Sequence, residues 1–428
     1  MYSLRTAYRD VCCYSSLYRF DVPEVPGLDF IYFNAADLQI GRELEDPIRA
    51  FDIVSISCLG ARARLYTGIF RTSTDDVCKW LEAGVSICLL AKRHDVSRRK
   101  PGGRRSGRTQ RIIYRPGSEI VKAIQYNEHG PAEVMKYIDL PDPVAEPGQI
   151  CVRLEAASVT PFDWKLRAGY LKSHFTLPMP SVPGRDGGGT VLSVGDGVTQ
   201  FKPGDRVAVM ARFFAQGGYA EMIAVDAARA VKIPENLSIV EAVALTNASL
   251  SAWLSVQTAE VKSGEKVLVH SGAGAVGGLL IQLCHHLGAQ VTTTCRSTNR
   301  DYVLGLGADH VVAYDENDFS DTVKDQDVVF DLMGGVVHDK SYKVLTNGGR
   351  LAWLVADPIK DRGAEFGVTV TRVMVTDDRS ALQAMMDLAG AGVIKPQVSR
   401  TIPLSDAVEA HRLMEKGAIS RGRLVLTM

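Results

Sequence analysis

The sequence predicts an α/β protein in which a doubly wound parallel sheet is joined to a smaller, mostly β domain, and three observations carry that prediction. A short apolar run, Lys266-Val-Leu-Val269, passes into glycines at 272, 274 and 277 and then into the apolar Leu279-Leu-Ile-Gln-Leu283. Beyond it, short apolar runs recur at intervals filled by helical or turn-rich sequence, which is the rhythm of βα units. Before it, over 120–246, short β-like runs are broken by glycine and proline instead.

The glycine run is a G-x-G-x-x-G, a weak signal alone and an informative one when a strand precedes it and a helix follows. Gly272 suits a tight turn, Gly274 removes the Cβ that would block backbone approach to a pyrophosphate, and Gly277 lets helix pack on strand. Ala273, Ala275 and Val276 complete the turn, so that unpaired N–H groups at the helix start face an anion. A glycine-rich helix start in another α/β domain would give these three spacings only by accident.

The end of the following strand indicates which dinucleotide fits. In Gln290-Val-Thr-Thr-Thr-Cys-Arg-Ser-Thr-Asn-Arg300 there is no acid where an NAD-preferring site places one for the ribose hydroxyls. Arg296, Ser297, Asn299 and Arg300 offer charge and donors instead, which suits a 2′-phosphate and favours NADPH. Either arginine alone is equally well explained as part of a solvated loop; the missing carboxylate is the stronger half of the argument.

Downstream, Ala308-Asp-His-Val-Val-Ala-Tyr314, Asp327-Val-Val-Phe-Asp-Leu-Met-Gly-Gly335 and Gly348-Gly-Arg-Leu-Ala-Trp-Leu-Val355 continue the parallel sheet. Open α/β sheets bind ligands at the carboxyl ends of their strands. Tyr314, Met333 and Gly334 are therefore further candidate cofactor contacts, and Asp331 is expected to shape the loop beside them.

Upstream, Gln149-Ile-Cys-Val-Arg-Leu-Glu-Ala, Gly189-Thr-Val-Leu-Ser-Val, Asp205-Arg-Val-Ala-Val-Met and Gly218-Tyr-Ala-Glu-Met-Ile-Ala-Val read as strands of a compact β domain. Here the chain resembles the medium-chain dehydrogenase/reductase superfamily, in its zinc-free, zeta-crystallin-like quinone oxidoreductase branch, over about 119–428. The resemblance rests on Lys122-Ala-Ile-Gln, Thr160-Pro-Phe-Asp-Trp-Lys165, Pro183-Gly-Arg-Asp-Gly-Gly, Phe201-Lys-Pro-Gly-Asp-Arg-Val, Gly217-Gly-Tyr-Ala-Glu221, Gly307-Ala-Asp309 and Arg421-Gly-Arg-Leu-Val-Leu. It implies a GroES-like substrate domain at 119–246 and 372–428, a Rossmann NADPH-binding domain at 247–371, and a homodimer. It also makes Thr160, where asparagine is usual, a cofactor contact.

The same resemblance raises zinc, which the alcohol dehydrogenases of the superfamily hold with cysteine and histidine while leaving one position open. Their cysteine falls in Val159-Thr-Pro-Phe here, and the histidine of their Gly-His-Glu is represented by Arg185. No metal is expected. Cys151, Cys284 and Cys295 are scattered singly, as small buried hydrophobes are, and the adjacent His285 and His286 cannot converge on one ligand from a helix.

Without a metal Lewis acid a simple ketone is hard to reduce, whereas a quinone or the β-carbon of an α,β-unsaturated carbonyl (an enone) is itself electrophilic. The expected activity is hydride transfer from NADPH to such an acceptor, with the protein orienting the nicotinamide and offering a donor to the developing oxyanion. Tyr170, Lys165 and Tyr219 are the candidate donors. Each has a plainer role available: Tyr219 in packing, Lys165 paired with Asp163 or Asp186, Tyr170 at a pocket mouth. Solvent is the alternative proton source. An enoyl-thioester reductase and a non-catalytic NADPH-binding sensor or partner-binding protein are the alternative functions.

Residues 1–118 fall outside the resemblance. Phe51-Asp-Ile-Val-Ser-Ile-Ser and Val85-Ser-Ile-Cys-Leu-Leu suggest strands around a capped helix at 73–83, a β-α-β fragment with little core of its own. Segment 92–115 is strongly basic, with Asp95 as its one acid, and reads as a solvated linker more readily than as a nucleic-acid contact. Across the chain 49 basic and 49 acidic side chains cancel, so no net field draws it to nucleic acid. No apolar run reads as long enough to span a bilayer, and the eight cysteines show no framework of paired spacings. A cytoplasmic home is the expectation.

Overall fold

The computed structural model describes residues 120–428 except 175, 214 and 356–358, together with four short strands before them. The chain divides into two units, Met1–Arg111 and Ile112–Met428. In the first, β1 (Leu28–Tyr32), β2 (Asp52–Ser57), β3 (Phe70–Arg71) and β4 (Cys88–Lys92) form a sheet in the order β1-β4-β2-β3. Strands β2 and β4 pair antiparallel. The expected β-α-β fragment is thus not a parallel crossover unit, because two short runs can pair antiparallel without the long connection that parallel pairing requires. The helix expected at 73–83 and the basic segment, apart from Lys92, lie outside the described residues.

The second unit begins with a hairpin of β5 (Ile120–Gln125) and β6 (Lys136–Pro141). Next come β7 (Gln149–Val159), β8 (Asp186–Val194), β9 (Arg206–Met210), β10 (Met222–Asp226) and β11 (Ala230–Lys232). Alternation along β7 feeds two cores. Ile150, Val152 and Leu154 pack with Val191, Val207 and Val209, while Ala157 and Val159 join Ala123, Tyr219 and Leu424. Helix α1 (Pro161–Ala168) leaves β7 through a capping box, since Thr160 Oγ1 accepts from Asp163 N and the Asp163 carboxylate accepts from Thr160 N.

Helix α2 (Ile239–Ala259) is capped likewise by Ser238 and Glu241. By length and composition it could cross a bilayer, with a mean hydropathy of 1.4 over its most apolar window, contrary to the sequence reading that no run is long enough. Two thirds of that window is buried. The helix packs against the β domain, the parallel sheet and their helices at once, which is why it is apolar all round.

Strand β12 (Lys266–Val269), α3 (Ala275–His286), β13 (Gln290–Cys295), α4 (Arg300–Leu304), β14 (His310–Ala313), α5 (Phe319–Thr322), β15 (Gln326–Asp331), α6 (Gly335–Ser341), β16 (Leu345–Trp353), α7 (Gly363–Phe366) and β17 (Thr369–Arg372) follow. Their six strands run parallel in the order β14-β13-β12-β15-β16-β17. The order reverses at β12, so the crevice beyond its carboxyl end is the topological switch point. After α8 (Arg379–Gly390) the chain returns to the first sheet through β18 (Val398–Pro403), α9 (Ala407–Glu415) and β19 (Arg423–Thr427), with β19 antiparallel to β7. One seven-stranded sheet, β11-β9-β8-β7-β19-β18 with β10 on β7, is thereby closed by residues from both ends of the unit.

Candidate active site

The glycine turn stands at the switch point. Ser271 takes a left-handed φ of 58°, and Gly272 N donates to Thr294 O at 3.0 Å, fixing the turn to the neighbouring strand. A Cβ at Gly272 would overlap Thr293 Oγ1, and one at Gly277 would overlap Ser271 O, whereas one at Gly274 meets nothing nearer than 3.3 Å. Gly272 and Gly277 are demanded by packing; Gly274 leaves a cradle open. Helix α3 starts there with no side-chain cap, so the first-turn N–H groups around Ala275, Val276 and Gly277 point at that opening. Room and unmet donors together fit a pyrophosphate.

The closing strand also reaches this turn. Gly422 N donates to Ala273 O at 2.9 Å, bridging Gly422 to Gly274, and Arg421 lies over the Tyr302 ring, 5.5 Å from its centroid. Sequence reasoning placed Arg421-Gly-Arg only as a chain-end landmark; no local signal shows that it docks on a turn far back in the chain.

The residues predicted for a 2′-phosphate converge as well. Arg296 Nε donates to Tyr314 Oη at 3.2 Å, and Tyr314 is 55% exposed. Arg300 pairs with Glu316 at 3.0 Å, and Ser297 donates from N and Oγ to Asp315. A carboxylate from beyond the end of β14 thus lies against Ser297. Asp315 stays below its ordinary pKa because the Ser297 N–H and hydroxyl hold it ionised.

On the other side of the switch point, Asp331 Oδ1 accepts from the N–H groups of Met333 and Gly334, both at 2.9 Å, and so shapes that loop as expected. Its Oδ2 meets His338 Nδ1 at 2.7 Å, and His338 Nε2 meets Tyr342 Oη at 3.0 Å. Gly334 has a φ of 73°, which favours glycine, while the Met333 side chain is 56% exposed. Nearby, His270 sits between Thr294 Oγ1 and Ser341 Oγ, and burial pulls its pKa down from 6.5 to about 4. A chain of satisfied polar groups thus braces the loop from beneath.

The three candidate donors do not meet. Tyr219 is fully buried, its hydroxyl 3.5 Å from Asp163 Oδ2 and 3.3 Å from His411 Nε2, so it packs beneath α1 instead of facing a ligand. Tyr170 is 71% exposed, edge-on to Trp164. Lys165 lies over that same Trp164 ring and takes neither expected carboxylate. Asp163 is occupied by Thr160, and Asp186 by Ser158 and the Asn247 N–H. Thr160 is 95% buried by the same token, since its hydroxyl caps α1. Burial pushes the Asp163 carboxyl up from 3.8 to about 7, against the pull of the Thr160 bonds.

Residues 146–235 match the alcohol dehydrogenase GroES-like domain family, and residues 306–426 match the zinc-binding dehydrogenase family. The 2-methylene-furan-3-one reductase of Solanum lycopersicum is 32% identical over 319 residues, covering 72% of this chain and 79% of that protein. The chain belongs to the medium-chain dehydrogenase/reductase superfamily, in its quinone oxidoreductase branch. The solved quinone oxidoreductase of Coxiella burnetii superposes with a TM-score of 0.67 at 32% identity, covering 72% of this chain and all of that one. The Escherichia coli quinone oxidoreductase complexed with NADPH gives 0.65 at 27% identity, covering 72% and 100%.

Within this quinone oxidoreductase fold, no group of three or more His, Cys, Asp or Glu among the described residues is arranged to hold a metal ion. Arg185, standing for the histidine of Gly-His-Glu, is buried with Asp377 against it. Cys151, Cys284 and Cys295 are buried free thiols, and burial raises the pKa of each, Cys284 to about 12, which makes them poor nucleophiles and poor ligands.

Proposed function

We propose that this reductase delivers hydride to a quinone or an α,β-unsaturated carbonyl, using NADPH and no zinc. The observation that carries the reading is the Gly274 cradle beneath the uncapped N-terminus of α3, with Arg296 and Arg300 just beyond the end of β13 and Tyr314, just beyond β14, bonded to Arg296. Bound there, NADPH supplies the hydride. The protein's own part is to hold the diphosphate on the α3 N–H groups, to grip the 2′-phosphate with Arg296 and Arg300, and to set the nicotinamide against the Asp331-braced loop.

Its likeness to the quinone oxidoreductase of Coxiella burnetii and to the 2-methylene-furan-3-one reductase of Solanum lycopersicum supports that acceptor class. Zinc independence is supported by the donor set, since an arginine cannot ligate a metal. A homodimer is part of the same proposal and is supported by β17, an edge strand with exposed Met374 and Val375 following it. Cytoplasmic residence and the absence of a membrane or nucleic-acid partner are proposed alongside it, on the balanced charge and the burial of α2.

The test is oxidation of NADPH and NADH by the purified full chain with an ortho-quinone, a short enone and an enoyl thioester. NADPH-selective turnover with the first two supports the proposal. Turnover confined to the thioester moves the assignment to an enoyl reductase, and tight NADPH binding without any turnover overturns it in favour of a sensor.

A further inference from the structure

Arg185 is a buried cation that the fold does not fully satisfy. Only 6% of the residue is exposed, yet its Nε has no partner among the described residues. One terminal nitrogen donates to Asp377 Oδ1 at 2.5 Å, and the other Asp377 oxygen is taken by Arg229. A guanidinium brings five N–H donors, and a buried donor left unmet is destabilising, more so where the group is charged. Packing alone does not call for it at this position.

Its partners come from both the β domain and the segment that follows the parallel sheet. Arg185 precedes Asp186, whose carboxylate accepts from Ser158 N and Oγ at the end of β7, two residues before Thr160. Asp377 lies five residues beyond the carboxyl end of β17. The Arg185–Asp377 pair therefore joins the β domain to the segment that leaves the parallel sheet. The guanidinium stacks on Phe213, 3.4 Å from Cζ to the ring centroid, and Phe213 meets Phe162 of α1 edge-on at 5.8 Å. Phe213 is 46% exposed. One positive charge with a free donor, backed by aromatic faces, is the setting in which a planar, conjugated carbonyl compound gains a counter-charge as it is reduced.

We infer that Arg185 is the oxyanion-stabilising catalytic residue, its Nε–H aimed at the substrate oxygen that becomes negative. The inference rests on the reductase reading above. With an enone, a new C–H bond forms at the β-carbon with the two electrons of the hydride, and NADPH is oxidised to NADP⁺. The former C=C pair moves to form the enolate double bond, and the carbonyl π pair goes to oxygen, beside Arg185. Solvent then protonates the α-carbon. Arg185 keeps its own proton throughout, since a guanidinium is too weak an acid to give it up at neutral pH.

The experiment follows an anion in place of turnover. 4-Nitrophenol, whose phenolate mimics an enolate or quinolate oxygen, is titrated by absorbance in the NADP⁺ complexes of wild type, Arg185→Gln, Arg185→Lys and Asp377→Asn. NADPH affinity and melting temperature are measured on each. Wild type is expected to bind phenolate about tenfold tighter than phenol. R185Q loses that preference with NADPH affinity within about twofold, R185K retains part of it, and D377N, which keeps the cation, retains it too. In enone turnover R185Q loses about 10²–10³-fold in kcat with little change in KM.

Equal phenolate preference in R185Q and wild type overturns the inference, as does a wild type that shows no saturable phenolate preference. If D377N loses the preference as R185Q does, Arg185 only pins segment 373–378 and the inference fails. The phenolate ratio needs no turnover, so a wild type that turns over none of the offered acceptors defeats the reductase reading while this readout still reports on Arg185 itself.

Discussion

Ser297 delivers both its backbone N–H and its hydroxyl to the Asp315 carboxylate, each at 2.8 Å. An acid is thus held ionised beside the arginines that would grip a 2′-phosphate. Two negative groups sharing that patch repel each other through a partly solvated medium. Asp315→Asn should therefore tighten NADPH by about three- to tenfold while NADH changes less, with the gain shrinking at high salt. Isothermal titration at two ionic strengths checks this, and equal gains for both cofactors would place the 2′-phosphate elsewhere.

Arg296 and Arg300 replaced together by alanine should cost about ten- to a hundredfold in NADPH affinity and spare NADH. The estimate is held down because Arg300 is half exposed and already paired with Glu316. Equal losses for the two cofactors would count against the assignment.

The three glycines of the turn should separate by readout. Gly274→Val brings its Cβ to 3.3 Å from Ser271 O, the mildest of the three approaches, so the melting temperature should fall least there while NADPH binding falls by at least about a hundredfold. Gly277→Ala places a Cβ on Ser271 O and should lower the melting temperature itself. A Gly274→Val protein that binds NADPH normally would remove the turn from the cofactor site.

Asp163 ties protonation to stability. Its folded pKa of about 7 lies above its ordinary 3.8, so between those values the native state binds more protons than the unfolded chain. Stability from this group therefore falls as pH rises through that window. Asp163→Asn keeps a neutral acceptor for Thr160 and escapes the cost. Its melting temperature relative to wild type should improve between pH 5 and pH 8, roughly the upper part of that window, and a pH-independent difference would refute the assignment.

His411 works in the opposite sense. Burial, with Arg167 nearby, lowers its pKa from 6.5 to about 3, and His270 is lowered to about 4. The native state holds both neutral, so stability is lost as pH falls below about 6.5. His411→Gln should flatten that acid limb in urea unfolding measured from pH 7 down to about 4. An unchanged limb would show that other groups govern it.

Much of the cofactor site was legible because it is local. The strand, turn and helix around 266–286 are contiguous, and the steric needs of Gly272 and Gly277 are met by atoms a few residues or one strand away. The burial of Tyr219 was not legible for the opposite reason. Whether Tyr219 faces a ligand depends on Asp163, 56 residues earlier, and His411, 192 residues later, and those contacts seal it. Nothing in its own neighbourhood marks it as buried. The apolar length of α2 carries a similar ambiguity: composition alone fits a bilayer, and only its packing between two sheets explains it.

The sequence by itself determined the βα rhythm, the glycine turn and the cluster at Arg296 to Arg300, because each is written in residues close together in the chain. The tertiary structure decided which charges meet. It brought Asp315 to Ser297, Gly422 to the glycine turn and Asp377 to Arg185, 192 residues apart. Such encounters follow from strand order and from the return of the last strands to the first sheet. Local periodicity fixes the elements; the pairing of distant elements fixes the field in which the chemistry is done.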